Sequence, residues 1–283
     1  MVADKLLEVC SDPLWATWCS YFGRPPSAAP ESLLRYLGAC FAAIPYENLT
    51  KIVAYRQTSS EPARSDPAAV LRGYAQRGTG GTCFALTAVL VALLRRTGLE
   101  AWPILADRPY GPDTHCALVT HFQGRWYLLD PGYLVTEPVP LPVSAPTVLQ
   151  RPFNMLELVP VGGQDRLRLS TVHQGQRSYR LEYKLQAVDE STFSAAWDRS
   201  YTWDMMHYPV VSVVRGGAHY YLQGNRLQIR TRQECRRIEV PSEQLPQVIA
   251  QHFGIATQVA GQALHALEKG GRLVWPTACH RTP

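Results

Sequence analysis

The hydrophobic period of this chain changes once, near Leu99, and that change limits what it can fold into. Before it, apolar residues recur at helical spacing: Leu6, Val9 and Cys10, then Leu14, Trp15 and Trp18, then Leu33, Leu34, Leu37, Cys40 and Phe41, and last the run from Phe84 to Arg96. After it the pattern alternates in short segments, at 101–106, 115–122, 125–129, 166–170 and 179–185. Turns such as Gln123-Gly124 and Gly162-Gly163-Gln164-Asp165 separate them. A short helix is expected at 191–199, strands at 210–214, 220–222, 227–231 and 236–240, and a helix over 242–253 with Ser242 as its N-cap. Asp66-Pro67 carries the cap-plus-proline signature of a helix start. The polar stretch 51–67 reads as an exposed loop, and the proline-dense stretch 137–152 as a long irregular connection. The expected fold class is α+β: helices first, then a small antiparallel β-barrel or sheet, then a mixed α/β segment.

The change of period has chemistry on both sides of it. Cys83 follows a glycine-rich turn, Gly78-Thr79-Gly80-Gly81-Thr82, and enters the helical run. At a helix N-terminus the free N–H groups and the dipole favour a thiolate. The glycines are expected to permit close approach to that helix and to leave space for a substrate. His115 opens one alternating segment, and Asp130 closes the next after the Gln123-Gly124 turn, so a strand pair can carry both towards the cysteine. An imidazole that takes the thiol proton, oriented by a carboxylate, is a nucleophile-activating set. Each residue also has a plain structural reading, as a buried thiol, a strand histidine and a turn aspartate. The Cys-His-Asp order fits several cysteine-enzyme classes.

Composition excludes other roles. The 283 residues are 46% apolar and 18% charged, enough for a substantial core, and contain no transmembrane-length apolar run. The first residues form no signal-peptide core. Seven scattered cysteines without CxxC spacing suit a reducing cytoplasm and argue against a disulfide framework. His115, Cys116 and His121 lack a fourth partner at metal-binding spacing, so no metal site is expected. The net charge of +5 comes almost wholly from scattered arginine, without the dense basic block a nucleic-acid partner requires.

Four boxes of this sequence resemble the arylamine N-acetyltransferases: Ile44-Pro45-Tyr46-Glu47-Asn48-Leu49, Gly80-Gly81-Thr82-Cys83, Thr114-His115, and Asp130-Pro131-Gly132-Tyr133. Phe253-Gly254-Ile255 is also similar to that family. The sequence departs from the pattern at Thr79, where the family has arginine, at Thr82, Ala85 and Thr87 around the cysteine, and at Tyr133 in place of phenylalanine.

The resemblance implies a helical domain (1–95), an antiparallel β-barrel domain (96–195) and an α/β lid (196–283) around a papain-like cysteine core. It implies Cys83 as nucleophile, His115 as base and acid, and Asp130 as the orienting carboxylate. Gly111, Pro112 and Tyr133 would contact substrate, and 201–212 would form a lid loop. Glu47, with Thr79 in place of the usual arginine, would take Arg77 as its partner. The implied reaction is ping-pong acyl transfer from acetyl-CoA or another acyl thioester to a small-molecule amine, with no bound cofactor. Smaller residues beside the cysteine suggest a roomier acyl pocket. An amide synthase using a carrier-bound or intramolecular thioester, with an acyl carrier protein as partner, is an alternative. A thiol amidohydrolase or transglutaminase-like enzyme is another.

Overall fold

Helix α5 (Cys83–Arg96) is the axis of the molecule: Cys83 through Leu94 are all buried, so its apolar residues pack on every side. The computed structural model describes residues 12–163 and 165–270. The expected helical positions Leu6, Val9 and Cys10, and Gln164 of the 162–165 turn, lie outside the described residues.

Before α5 come α1 (Asp12–Phe22), α2 (Pro30–Phe41), β1 (Tyr46–Glu47), α3 (Leu49–Gln57) and α4 (Pro67–Arg77). Helix α4 starts where its signature predicts, with the Asp66 carboxylate accepting the Ala69 N–H at 3.1 Å, and ends at Gly78 with φ 68°. The expected loop at 51–67 is helical in its first part. Leu49 and Ile52 are fully buried and Lys51 nearly so, and a buried lysine disguised the apolar face of α3.

After α5 the chain forms β2 (Glu100–Arg108), β3 (Gly111–Phe122), β4 (Arg125–Asp130), β5 (Val135–Leu141), β6 (Thr147–Gln150), β7 (Met155–Val161), β8 (Arg166–His173) and β9 (Gln176–Lys184). These pair antiparallel in the order β5-β4-β3-β2-β9-β8-β7-β6, a curled half-barrel with two edge strands, not a closed barrel. Two of these strands replace the expected irregular connection at 137–152. Pro138 and Pro140 fit because β5 is an edge strand, where a missing N–H costs no ladder bond.

The remainder is α6 (Glu190–Arg199), capped by Asp189, then β10 (Val210–Arg215), β11 (Ala218–Gln223), β12 (Arg226–Arg230), β13 (Cys235–Glu239), α7 (Leu245–Phe253) and α8 (Thr257–Lys269). Ser242 opens a single 3₁₀ turn, and α7 begins three residues later, so Ser242 does not cap it.

One device ties these parts together at Cys83. Strand β1 joins the second sheet, in the order β1-β10-β11-β12-β13, and also bridges Gly81 in parallel. Glu47 N–H donates to the Gly81 carbonyl at 3.0 Å. A Cβ at Gly80 would stand 1.8 Å from the Pro45 carbonyl oxygen, and one at Gly78 2.0 Å from that of Gly254. The space these two glycines provide is therefore filled by backbone, not left for substrate as the sequence suggested.

Candidate active site

Cys83 is the first residue of α5. Thr82 before it is extended (φ −76°, ψ 175°), and no side chain caps the helix, so the first-turn N–H groups are open to an anion. The two-residue turn at Gln123-Gly124, both with positive φ, sets the β3–β4 register at Leu118 opposite Leu129. That register brings His115 and Asp130 together, with 2.7 Å between Nε2 and Oδ2. Both side chains are buried.

The Asp130 carboxylate is held from four directions. Oδ2 also accepts the Tyr183 hydroxyl at 2.6 Å, and Oδ1 accepts the N–H groups of Gly132 at 2.8 Å and Tyr133 at 3.0 Å. Gly132 is the point where three side chains meet. A Cβ there would lie 2.8 Å from His115 Cε1, 3.2 Å from Asp130 Oδ1 and 3.2 Å from Cys83 Cβ. With Nε2 committed to Asp130, Nδ1 is the His115 nitrogen left for the thiol.

A hydrogen bond from Cys116 is the largest influence holding the Cys83 thiol well below the usual range. Burial opposes it, and the charge and hydrogen bond of His115 reinforce it. Burial pulls the His115 pKa down, but the negative charges of Asp130 and Cys83 outweigh it and raise the imidazole to about 10. The arrangement favours a thiolate–imidazolium pair at neutral pH. Burial and the Asp130 charge push the Tyr183 phenol well up, so it stays a donor.

The other expected site residues divide. Tyr133 is at the centre, its ring edge-on to that of His115 at 5.0 Å. Gly111 and Pro112 open β3, with Gly111 packed against Thr114. Glu47 does not pair with Arg77: its buried carboxylate accepts the Thr50 N–H at 2.9 Å and hydroxyl at 2.6 Å, closing the first turn of α3. Ala85 faces Gly81, and Thr87 lies 3.6 Å from the Cys116 sulfur.

Sequence reasoning missed several groups. Cys116 and Tyr183 carry no motif, and each becomes meaningful only through its neighbour. Asn48 pins the 201–212 segment: its amide N–H groups donate to the carbonyls of Met205 and Tyr208, and its oxygen accepts the Val210 N–H. Lys51 is buried near the sulfur, donating to the Ser200 carbonyl at 2.9 Å under the Tyr201 ring. Burial lowers its pKa to about 7 against the opposing pull of Cys83. Among the described residues no group of His, Cys, Asp or Glu could hold a metal ion, and no helix is long and apolar enough to cross a membrane.

A family model described as N-acetyltransferase matches residues 31–262. The chain belongs to the arylamine N-acetyltransferase family. No curated protein matches the sequence. Among solved structures, the arylamine N-acetyltransferase of Nocardia farcinica is 19% identical with a TM-score of 0.78, covering 96% of this chain and 99% of its own. That of Mycobacterium marinum is 20% identical with a TM-score of 0.75, covering 90% and 98%. The M. marinum enzyme is also known in complex with CoA, at 19% identity, a TM-score of 0.75 and the same coverage. At such identity the likeness speaks for the fold, and family membership rests on the sequence match.

Proposed function

We propose that this N-acetyltransferase-family enzyme works through a Cys83 acyl-enzyme within a papain-like core, in three domains covering 1–95, 96–195 and 196–283. The observation that carries this reading is the convergence of Cys83, His115 and Asp130 on Gly132, with the imidazole fixed by a 2.7 Å bond. The Cys83 sulfur attacks the carbonyl carbon of an acyl thioester. The resulting oxyanion faces the uncapped N–H groups of α5. The donor C–S bond breaks, and the departing thiolate takes the proton from His115. An amine then attacks the Cys83 thioester, His115 accepts the amine proton, and the C–S bond to Cys83 breaks to release the amide. Asp130 keeps the imidazole in one tautomer throughout.

Acetyl-CoA is the donor favoured by family membership, and the CoA complex of the M. marinum relative supports it. Tyr133, beside the imidazole, is the residue best placed to meet the amine. The cytoplasm, where acyl-CoA and amines are both available, is the compartment this chemistry suits. Incubation with acetyl-CoA and no amine should add one acetyl mass to Cys83, discharged by an arylamine or hydrazine. Rapid acid release without amine dependence would favour hydrolysis instead, and an unlabelled Cys83 would remove the reading.

A further inference from the structure

Three arginines from the two sheets lie within electrostatic reach of one another, and none of them has a carboxylate partner among the described residues. Arg108 ends β2, Arg180 lies in β9, and Arg230 ends β12, paired in register with His219. Each has a buried guanidinium nitrogen without a hydrogen-bond partner: Nε of Arg108, Nη1 of Arg180 and Nε of Arg230. Arg180 is 5% exposed and spends one bond on the Thr171 hydroxyl at 2.7 Å. The charges act on one another. Burial lowers the Arg180 pKa to about 10, and the charges of Arg230 and Arg108 add to that, while Tyr133 opposes. His219 is held neutral, down to about 3, by burial and by Arg230 and Arg180. Clustered, unsatisfied guanidinium groups are costly without an anion and bind one strongly when it comes.

The cluster is next to the sulfur chemistry. The Arg108 guanidinium lies 5.3 Å from the centroid of the Tyr133 ring, whose other neighbour is the His115 ring at 5.0 Å. Tyr110, 4.8 Å from the same guanidinium, is 58% exposed. The Tyr46 phenol, pushed well up by burial, feels Cys83 and Arg108 together. A single aromatic ring therefore separates the Arg108 cation from the imidazole. In CoA, cysteamine, β-alanine and pantoate units stand between the thioester and the first phosphate, too long a tether for that gap when extended. A compact acid group on the reacting molecule fits it.

We propose that Arg108, with Arg180 and Arg230 behind it, is a recognition site for a carboxylate carried by a substrate, one aromatic ring away from the reacting carbon. This rests on the acyl-transfer reading and names its substrate class: an amine acceptor bearing a carboxylate, or an acyl group ending in one. Two pairs of substrates distinguish the sources. With acetyl-CoA as donor, the kcat/KM ratio of 4-aminobenzoate over aniline is measured. With one neutral amine, the ratio of succinyl-CoA over butyryl-CoA is measured. R108Q should lower one ratio by about tenfold or more, the scale of a lost charge-assisted bond, and the ratio that falls identifies the source. Arg230→Gln should lower the same ratio by a smaller factor, and it carries the test if R108Q does not fold. Both ratios staying within twofold of wild type in the folded variants would overturn the proposal. Benzoate binding to the Cys83→Ala protein, against benzyl alcohol, separates the two claims because it needs no chemistry. Arg108-dependent benzoate binding there, with no Cys83 adduct in the wild-type protein, would break the acyl-transfer reading alone. Adduct formation with no Arg108-dependent preference would break this one alone.

Discussion

Two polar regions flank Tyr133, and they are built on opposite terms. On the His115 side every strong group is matched: the Asp130 carboxylate takes four hydrogen bonds, and the imidazole lies between it and the sulfur. On the Arg108 side three guanidinium groups keep unsatisfied nitrogens, and among the described residues none of them pairs with a carboxylate. The first region is finished before any substrate arrives, so the reaction needs little rearrangement there. The second would be finished by the substrate carboxylate proposed above. A protein holds fixed what must act on every turnover, and leaves open what must recognise.

The largest effect should follow from unbalancing the finished side. Asp130→Asn keeps the shape but offers the imidazole a donor where it needs an acceptor. Cys83 acylation should slow by about 10⁴-fold, the scale of the same exchange in a serine–histidine–aspartate site. Single-turnover acylation of a variant with native circular dichroism checks this, and a wild-type rate would remove the matched-site account. Tyr183→Phe deletes one of the four bonds to Asp130 and should slow acylation by about tenfold, with a stability loss of about 1.5 kcal/mol. Urea titration and the same single-turnover assay measure both. The smallest effect belongs to the unfinished side. R108Q should change unfolding free energy by less than about 1 kcal/mol, because the buried Arg108 Nε makes no hydrogen bond to lose. A loss as large as that of Tyr183→Phe would mean that Arg108 is a structural partner and the contrast is false.

The finished side was largely legible in the sequence, and the unfinished side was not. A two-residue turn at Gln123-Gly124 fixes strand register, so His115 and Asp130 could be placed together from spacing alone. The glycine-rich turn likewise announced Cys83 at a helix start. Tyr183 escaped because β9 pairs with β2, not with β4, and its hydroxyl reaches Asp130 across the curl of the sheet. Arg108, Arg180 and Arg230 come from three strands of two sheets, and no local pattern links them. In the sequence they were part of a scattered arginine set. Helix α3 was hidden by Lys51, a buried residue with an exposed residue's chemistry. The strand β5 was hidden by prolines that only an edge position accommodates.

The claim on which the rest depends is that Cys83 stands as a thiolate, held by the Cys116 hydrogen bond and by a His115 imidazolium that Asp130 keeps charged. The pH dependence of Cys83 alkylation by iodoacetamide, followed by mass spectrometry, tests it directly. Its lowered pKa and the raised His115 value of about 10 leave the ion pair intact through the neutral range. The rate in the wild-type protein should therefore stay nearly constant as the pH falls through about 8.5, the usual thiol value. In His115→Ala, which loses the imidazolium's charge and hydrogen bond, the fall of about tenfold per unit should set in at a higher pH than in the wild type. A wild-type profile that titrates near 8.5 and coincides with that of His115→Ala would contradict the account.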